Sequence, residues 1–301
     1  MQRGTISLLL TLVLIVIVSG CTGTDIFPNN SAPAGNGVRI ISFEPELSSI
    51  YSGEETTFML KIKNMGSFAA TGTVKIDLSE WRGQCSTNQV RDFSNLIAPD
   101  SEVGTEGEEA TFTWKCTAPD IENEGSEGLH IPYEPRAVVT VKGARSLTSK
   151  SVTLVPTKEL LDIQNSGSAL PSELVSKSAS PVDIDIKVKG PVRLMTGTNS
   201  ISFPVTITVT NVGGGIVEGS TVELNVEAGS GLNLLQSGEC DLNRPLYLWR
   251  GRSQSITCEM SANNVETLTQ ARIVASATYD YTTTASTQIE VIGKRKSLWP
   301  Q

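Results

Sequence analysis

The sequence contains one histidine, His130, and few aromatic residues, which make up 5% of the chain. A histidine-based metal site or a Ser-His-Asp relay would have to be built around His130 alone. The chain has no Gly-x-Ser-x-Gly motif, phosphate-binding loop or dinucleotide-binding fingerprint. We therefore expect no enzymatic activity, no cofactor and no metal ion.

Positive charge is in the minority, because 24 Lys and Arg stand against 32 Asp and Glu and give a net charge of −8. An acidic folded surface repels phosphate backbones, so we expect no nucleic-acid partner. The acidic stretch "DSEVGTEGEEA" could bind Ca²⁺ through carboxylate oxygens. It lacks EF-hand spacing, and a solvated loop is the favoured interpretation.

The apolar run near the N-terminus, Ile6 to Val18, is too short for a comfortable transmembrane helix. Thirteen helical residues span about 20 Å, whereas a bilayer core is about 30 Å thick. With Arg3 in front, the run predicts a signal peptide. It ends in Val18-Ser19-Gly20-Cys21, which resembles the lipobox of secreted lipoproteins.

This resemblance implies cleavage before Cys21 and attachment of lipid to its thiol. Residues 1–21 would then be a lipoprotein-type signal peptide with its anchor cysteine, and the mature protein would lie on the extracytoplasmic face of a membrane. The alternative is a plain signal peptide or uncleaved anchor with an incidental cysteine. Residues 22–37 are rich in Gly, Pro, Asn, Ser and Thr, which predicts a flexible tether.

The rest of the chain alternates apolar and polar residues, the pattern of β-strands. "TTFMLKIK" places Phe58, Leu60 and Ile62 on one face, and "VDIDIKVK" and "ISFPVTITVT" alternate in the same way. Pro204 falls on a polar face, which predicts a strand that lies at an edge or starts after the proline. Many short strands between turns predict an all-β fold of antiparallel β-sandwiches.

An internal repeat predicts two domains. "LKIKNMGSFAATGTVKIDL" matches "ITVTNVGGGIVEGSTVELNV", so that Asn64 and Gly66 correspond to Asn211 and Gly213. We expect each Asn-x-Gly segment to form a turn whose residues adopt positive φ angles. The predicted organisation is domain 1 at 38–156, a linker at 157–180 in which "TKELLDIQ" could form one or two helical turns, domain 2 at 181–293, and a basic tail at 294–301.

Four cysteines remain besides Cys21, and they allow three pairings. The repeat selects Cys85 with Cys116 and Cys240 with Cys258. The chain has no Cys-x-x-Cys pair, so disulfides are favoured over metal ligation. Disulfides agree with export.

The strand, Asn-x-Gly turn and returning strand resemble the extracellular immunoglobulin-like modules of the cell-adhesion-related (CARDB-like) kind. The resemblance implies two tandem Ig-like β-sandwich domains in a stalk, adhesion or scaffold protein without catalysis. The expected partner besides the membrane is a protein or polysaccharide at the cell surface. An accessory subunit of an envelope, secretion or pilus-type assembly, or a carbohydrate-binding surface protein, is the alternative.

Two segments could carry recognition. "GLHIPYEP" places His130 and Tyr133 in a predicted loop, which would either bind a partner or pack on itself. "RPLYLWRGRS" holds Tyr247 and Trp249 beside arginines, the chemistry of an interface anchor. Because both aromatic residues share one strand face, core packing is the favoured interpretation. The tail "GKRKSLWPQ" could contact anionic headgroups, although a disordered solubilising tail is favoured.

Overall fold

Strands form nearly all of the regular structure. The computed structural model describes residues 37–79, 81–85, 88–121, 128–195, 200–235, 240–263 and 265–294. In this part of the chain there are twenty strands and one α-helix. The first nine strands are β1 (Val38–Pro45), β2 (Ser49–Tyr51), β3 (Glu55–Asn64), β4 (Ala70–Asp77), β5 (Gln84–Cys85), β6 (Val90–Leu96), β7 (Glu109–Thr117), β8 (His130–Tyr133) and β9 (Arg136–Pro156).

Helix α1 (Thr157–Ser166) separates these strands from the remaining eleven. They are β10 (Val175–Lys177), β11 (Val182–Val188), β12 (Val192–Leu194), β13 (Ser200–Asn211), β14 (Ile216–Val217), β15 (Thr221–Ala228), β16 (Leu232–Leu235), β17 (Leu246–Tyr247), β18 (Ser253–Asn263), β19 (Thr269–Ser286) and β20 (Ile289–Ile292). A short 3-10 turn, Glu218–Ser220, precedes β15.

The strands build two sandwiches that share one sheet. Sheets β1-β3-β7-β5 and β11-β13-β18-β16 each cover one part of a nine-stranded sheet whose main order is β17-β15-β19-β9-β4-β6. Two separate clusters of buried apolar side chains fill the spaces between the layers. The first core contains Phe58, Leu60 and Ile62 of the first half, and the second core contains Ile184, Ile207 and Ile273 of the second half. The all-β fold class with antiparallel Ig-like sandwiches is therefore confirmed.

Alternation along the strands decides which side chains enter each core. In β3, the buried residues are Thr56, Phe58, Leu60, Ile62 and Asn64, while the residues between them are at least partly exposed. A strand turns successive side chains to opposite faces, so an apolar residue at every second position is enough to bury one face. Burying each large aliphatic or aromatic side chain contributes about 1.5–3 kcal/mol.

The two longest strands pass through both sandwiches. Strands β9 and β19 pair antiparallel along their length, from Arg136 opposite Ser286 to Leu154 opposite Thr269. Strand β9 begins in the first core and ends in the second, and β19 runs the other way. The end of β9 therefore packs in the second core, and the end of β19 packs in the first core. We call the level at which both strands change cores, around Ala144, the junction.

A β-bulge in β9 at the junction lets the apolar side chains of this strand face the core on each side of the junction. On β19 Asp280 lies opposite the two residues Lys142 and Gly143, and Gly143 has a φ of 59°. Core side chains of β9 are odd-numbered up to Val141 and even-numbered from Val152 on. An extra residue shifts the alternation by one place, so the bulge turns β9 toward the core on each side of the junction.

The final strand packs with the first half of the chain, although the sequence places it in domain 2. Strand β20 falls within 181–293, but Ile289 and Val291 pack in the first core. It pairs parallel with β2 and antiparallel with β8, both from the first half. The division into two domains stays a prediction, but the range 181–293 does not correspond to one core.

The segment predicted as a linker is held to both halves. Residues 157–166 form α1, which ends at Gly167 in the left-handed conformation, and β10 pairs with β9. At its end, Ala179 accepts a hydrogen bond of 2.9 Å from the Ser67 amide of the first half. Two residues later, Pro181 accepts one of 3.0 Å from the Gly213 amide of the second. This segment is therefore part of the packed structure.

The sequence predicts that Pro204 lies in an edge strand or before the start of its strand. Pro204 is instead inside β13, which is not an edge strand over most of its length. Strand β13 starts at Ser200 and lies between β11 and β18. Its last pair with β11, however, is Val205 with Val188, so on that side the proline has no neighbour. The missing amide hydrogen is tolerated because β13 is an edge locally.

Candidate functional site

The first Asn-x-Gly turn ends β3 at the junction. Asn64 is 1% exposed. Its Oδ1 accepts a hydrogen bond of 2.9 Å from the Gly66 amide, and its Nδ2 donates to the carbonyl oxygens of Phe68 at 2.9 Å and Leu96 at 2.8 Å. The side chain thus closes the turn and ties it to the end of β6 in the nine-stranded sheet, which satisfies a polar group that would otherwise be costly to bury.

The second turn repeats these contacts. Oδ1 of Asn211 accepts from the Gly213 amide at 3.2 Å, and Nδ2 donates to the Gly215 carbonyl at 3.0 Å. Here the hydroxyl of Tyr281 also donates to Oδ1 of Asn211 at 3.2 Å and accepts from the Gly215 amide at 2.8 Å. The repeat in the sequence therefore corresponds to a repeated hydrogen-bond pattern.

The expectation of positive φ at these turns is wrong. Neither glycine has a left-handed φ, and neither asparagine does. A Cβ on Gly213 would overlap the Tyr281 hydroxyl and lie 2.9 Å from Cβ of Pro181. One on Gly66 would lie 3.3 Å from the Ala179 carbonyl oxygen. Close approach of the chain at the junction therefore requires glycine at position 213 and leaves little room for a side chain at position 66.

Two tyrosines that the sequence analysis did not select complete the junction. The Tyr279 hydroxyl lies 2.9 Å from Oγ of Ser146 and accepts a hydrogen bond of 3.3 Å from the Val182 amide. Burial raises the pKa of Tyr279 to about 12 and also raises the pKa of Tyr281. The only signal was "YDY" inside a long alternating strand. Because the hydroxyl groups of Tyr279, Tyr281 and Ser146 all form internal hydrogen bonds, these side chains have a structural role at the junction.

Both disulfides have the pairing that the repeat selects. Cys85 joins Cys116 between β5 and β7, and Cys240 joins Cys258 of β18. Cys116, Cys240 and Cys258 are buried. Disulfides form and persist in oxidising compartments, so the pairs indicate exposure outside the cytosol.

The segment around His130 is a strand, contrary to the predicted loop. Nδ1 of His130 lies 3.0 Å from Oε2 of Glu290 on the neighbouring strand β20. Tyr133 is half-buried and packs edge-on against Trp81, with ring centroids 5.6 Å apart. Tyr133 therefore contributes to the first core, and the two side chains do not form one binding surface.

The favoured interpretation of Tyr247 and Trp249, core packing, is wrong. Tyr247 is 59% exposed and Trp249 is 66% exposed, while Leu248 between them is fully buried. Side chains alternate as the pattern predicts, but the inward face is that of Leu248. The backbone holds this arrangement through Leu248, whose amide donates to the Ser220 carbonyl at 2.8 Å.

A tight hairpin supports the exposed indole. The Arg252 amide donates to the Trp249 carbonyl at 3.1 Å, and the Trp249 amide donates to the Ser253 carbonyl at 3.1 Å. Arg250 and Gly251 at its tip have φ angles of 52° and 67°, the left-handed values that the central residues of a type I′ turn adopt. The sequence signal for this geometry is the Arg-Gly pair.

The hairpin presents a surface of mixed chemistry that we call the aromatic–arginine turn: Tyr247, Trp249, Arg250 and Arg252. The guanidinium carbon of Arg250 lies 5.9 Å from the Trp249 ring centroid, within cation–π range. Both arginines are exposed, and neither forms an ion pair with the residues that the structure describes. Exposed aromatic side chains beside arginine are the groups most enriched at binding hot spots.

The acidic stretch is occupied by contacts within the protein. Glu106 and Glu109 pair with Lys63, and Glu109 also pairs with Lys61 at 2.5 Å. Hydrogen bonds from Lys61 and Lys63 hold the pKa of the Glu109 carboxyl below its usual range. Within the described ranges, no group of three or more His, Cys, Asp or Glu is placed to hold a metal ion.

Three predicted features, the anchor cysteine, the tether and the basic tail, fall wholly or partly outside the described residues. Cys21 and the tether to residue 36 lie outside them, as do residues 295–301 of the basic tail. Lys294 is described, and its Nζ lies 3.4 Å from Oε1 of Glu54. Nowhere in the described part of the chain is a helix both long and apolar enough to cross a bilayer.

Comparison with known proteins identifies no family. No family model matches the chain, and no curated protein sequence matches it. Among solved structures, the chain is compared with ACE of Enterococcus faecalis, described as an MSCRAMM that binds its ligands by the collagen Hug model. The identity is 8%, over 85% of this chain and 95% of that one, with a TM-score of 0.18.

A second comparison is with the collagen adhesin CNA from S. aureus. The identity is 8%, over 87% of this chain and 95% of that one, with a TM-score of 0.13. TM-scores this low carry no inference about fold or function. The assignment of this chain to Ig-like sandwiches rests on its own strands, sheet order and cores.

Proposed function

We propose that this protein is exported, anchored in a membrane through lipid on Cys21, and acts without catalysis as an adhesion or scaffold protein. The aromatic–arginine turn would be its contact with a surface partner. The observation that carries this proposal is the 66% exposure of Trp249 on a hydrogen-bonded hairpin beside two arginines without ion-pair partners among the described residues. A rigid exposed indole loses little conformational entropy on binding.

Two further features support surface exposure. The two disulfides fit an oxidising environment. The Cys21 sequence context fits lipid attachment, and multiple acyl chains would hold the protein on a membrane stably. The finer assignment to CARDB-like modules is part of the same proposal and is supported by the repeated Asn-x-Gly turn.

The alternative role, as a subunit that adds a strand to an assembly, receives less support. Strands at free edges carry features that block pairing with another chain. Strand β1 has an irregular register between Ile40 and Ser42, and β16 has only four residues. The exposed side of β11 carries Asp183, Asp185 and Lys187. Side-chain recognition at the turn therefore fits the geometry better than strand addition.

The experiment compares variants expressed in the protein's own host. Cys21→Ser should release the protein from the membrane fraction, and its full retention there would refute the lipid anchor. Trp249→Ala should reduce attachment of host cells to their natural surface at least tenfold. Tyr51→Ala is the matched control, because Tyr51 is also exposed and has a cation, Lys294, 5.8 Å from its ring. Equal attachment by Trp249→Ala and wild type would refute the contact role of the turn.

A further inference from the structure

A groove lies directly beside the aromatic–arginine turn. It has a volume of about 660 Å³, and Arg250 and Arg252 line it together with the backbone of the second Asn-x-Gly turn. Trp249 is next to Arg250 in the chain, and its ring is within cation–π range of the Arg250 guanidinium. The aromatic–arginine turn and the groove therefore share Arg250 and Arg252.

The groove has a positive charge on a protein that is acidic overall. Its lining contains two arginines and no carboxylate, although the chain as a whole has a net charge of −8. The nearby acidic residues Glu218, Glu223 and Asp280 line a different groove. Guanidinium groups pair with carboxylate and sulfate in a two-point geometry, so this groove favours a ligand with acidic groups.

The remaining lining is polar. Thr210 and Ser253 contribute hydroxyl groups, and the only large apolar side chain is Ile216, which is 66% exposed. The centre of a protein–protein interface is usually an apolar region that loses its water. A lining of hydroxyl and backbone groups instead matches a ligand with many hydroxyls of its own.

Hydroxyl groups continue from the groove along the outer face of β13 and β18. Thr210 lies opposite Ser253, followed by Thr208 opposite Ser255 and then Thr206 opposite Thr257. The last two pairs have hydroxyl oxygens 2.8 Å and 3.3 Å apart. Pairs at every second residue repeat at about 7 Å, so the three pairs form a track about 14 Å long. On the β11 side the track is bordered by Asp183 and Asp185, opposite Thr210 and Thr208, and both aspartates pair with Lys177. The track therefore suits the hydroxyl groups of an extended polymer, and the arginines of the groove are the groups that suit its acidic groups.

We propose that the groove and this hydroxyl track bind an acidic polysaccharide, a polymer of uronic or sulfated sugars. Arg250 and Arg252 pair with its acidic groups, and the Trp249 ring packs against the apolar face of a sugar ring. The proposal rests on the contact role of the aromatic–arginine turn and names the ligand class. An acidic protein would use the same arginines, so it is a separate outcome of the test.

Titration calorimetry with the full chain carrying Cys21→Ser tests the proposal. The probes are heparin for sulfate groups, polygalacturonate for carboxylates, neutral dextran, and poly-L-glutamate for an acidic polypeptide. We expect heparin or polygalacturonate to bind, with affinity that falls as salt rises, and dextran not to bind. Stronger binding of poly-L-glutamate than of both polysaccharides, or no binding of either polysaccharide, would overturn the proposal.

The variants locate the binding. Arg250→Asn with Arg252→Gln removes both charges, and Asn tolerates the left-handed φ at position 250. This double variant and Trp249→Ala should each lose at least tenfold in affinity. Arg244→Ala is the control, since Arg244 is exposed but pairs with Asp241 at 3.2 Å outside the groove. Unchanged affinity of the double variant would overturn the site.

The cell-attachment assay separates this proposal from the proposed function. If Trp249→Ala abolishes attachment but no polysaccharide binds, the contact role stands and the ligand class fails. If polysaccharides bind through the arginines but Trp249→Ala cells attach normally, the ligand class stands and the contact role fails. A thermal unfolding midpoint equal to wild type shows that each variant is folded.

Discussion

The hydroxyl oxygens of Tyr279 and Ser146 lie 2.9 Å apart at the junction, on the two strands that pass from one core to the other. Ser146 also donates a hydrogen bond of 2.6 Å to the Val182 carbonyl, at the start of β11. Three segments that are distant in sequence therefore meet at one buried pair of hydroxyls. Changes at this pair of hydroxyls should therefore alter the free energy of unfolding.

Tyr279 makes the free energy of unfolding depend on pH in the alkaline range. Burial raises its folded-state pKa from 10.0 to about 12, so its contribution is complete below pH 10 and is lost as pH rises toward 12. Two pKa units correspond to about 2–3 kcal/mol at most. Urea unfolding between pH 9 and pH 11 should show a shallower loss of stability for Tyr279→Phe than for wild type. Tyr247→Phe, at an exposed position, should follow wild type; equal slopes for all three would contradict this prediction.

Asn64→Ala should be among the most destabilising changes to a polar side chain. It removes three hydrogen bonds from a fully buried site and leaves the Gly66 amide and two carbonyls without that partner. We expect a loss of about 2–4 kcal/mol in the free energy of unfolding. Asn211→Ala, at the matched but only half-buried position, should cost less. Chemical denaturation measures both, and the reverse order would refute the argument from burial.

Gly143 should tolerate asparagine better than alanine. Its φ is 59°, and a Cβ there would meet no atom within 4 Å, so only backbone conformation opposes a side chain. Alanine disfavours this region by about 1–2 kcal/mol, whereas asparagine adopts it more readily. Thermal unfolding should place Gly143→Asn between wild type and Gly143→Ala. A larger loss for asparagine would mean that the bulge is not limited by φ.

Ile289→Ala should weaken the first core although the residue lies near the C-terminus. Ile289 is 1% exposed and packs in the first core, so the truncation should cost about 2–5 kcal/mol. Hydrogen exchange should accelerate in β3 of the first core. Ile292→Ala, on the same strand but only half-buried, is the control. If exchange accelerated only in β13 and β18, the assignment of β20 to the first core would be wrong.

Much of the fold could be predicted because strand periodicity is local. The buried faces of β3, β11 and β13 follow directly from alternating residues such as Phe58, Leu60 and Ile62. The repeat located both Asn-x-Gly turns and selected both disulfides, because the same short pattern occurs twice. The reason offered for the glycines was wrong, since close approach to Tyr281 and Ala179 involves segments far away in sequence.

The orientation of the aromatic–arginine turn could not be predicted from the alternating pattern alone. Alternation puts Tyr247 and Trp249 on one face, but it does not say whether that face or the face of Leu248 meets the core. The two-residue strand β17 pairs with β15 at the edge of the shared sheet, and that pairing turns Leu248 inward. The exposed aromatic–arginine turn is therefore a consequence of a long-range contact.

The order of the residues is enough to predict the β-rich class, the alternating core faces, the repeated turns and the disulfide pairs, since each depends on neighbouring residues or on comparing two similar stretches. Tertiary packing, in contrast, sets the crossing of β9 and β19 between the cores, the return of β20 to the first core and the outward orientation of Trp249. Those choices depend on which strands pair. Partner choice is set by packing between residues far apart in the chain, which periodicity along a single strand does not encode.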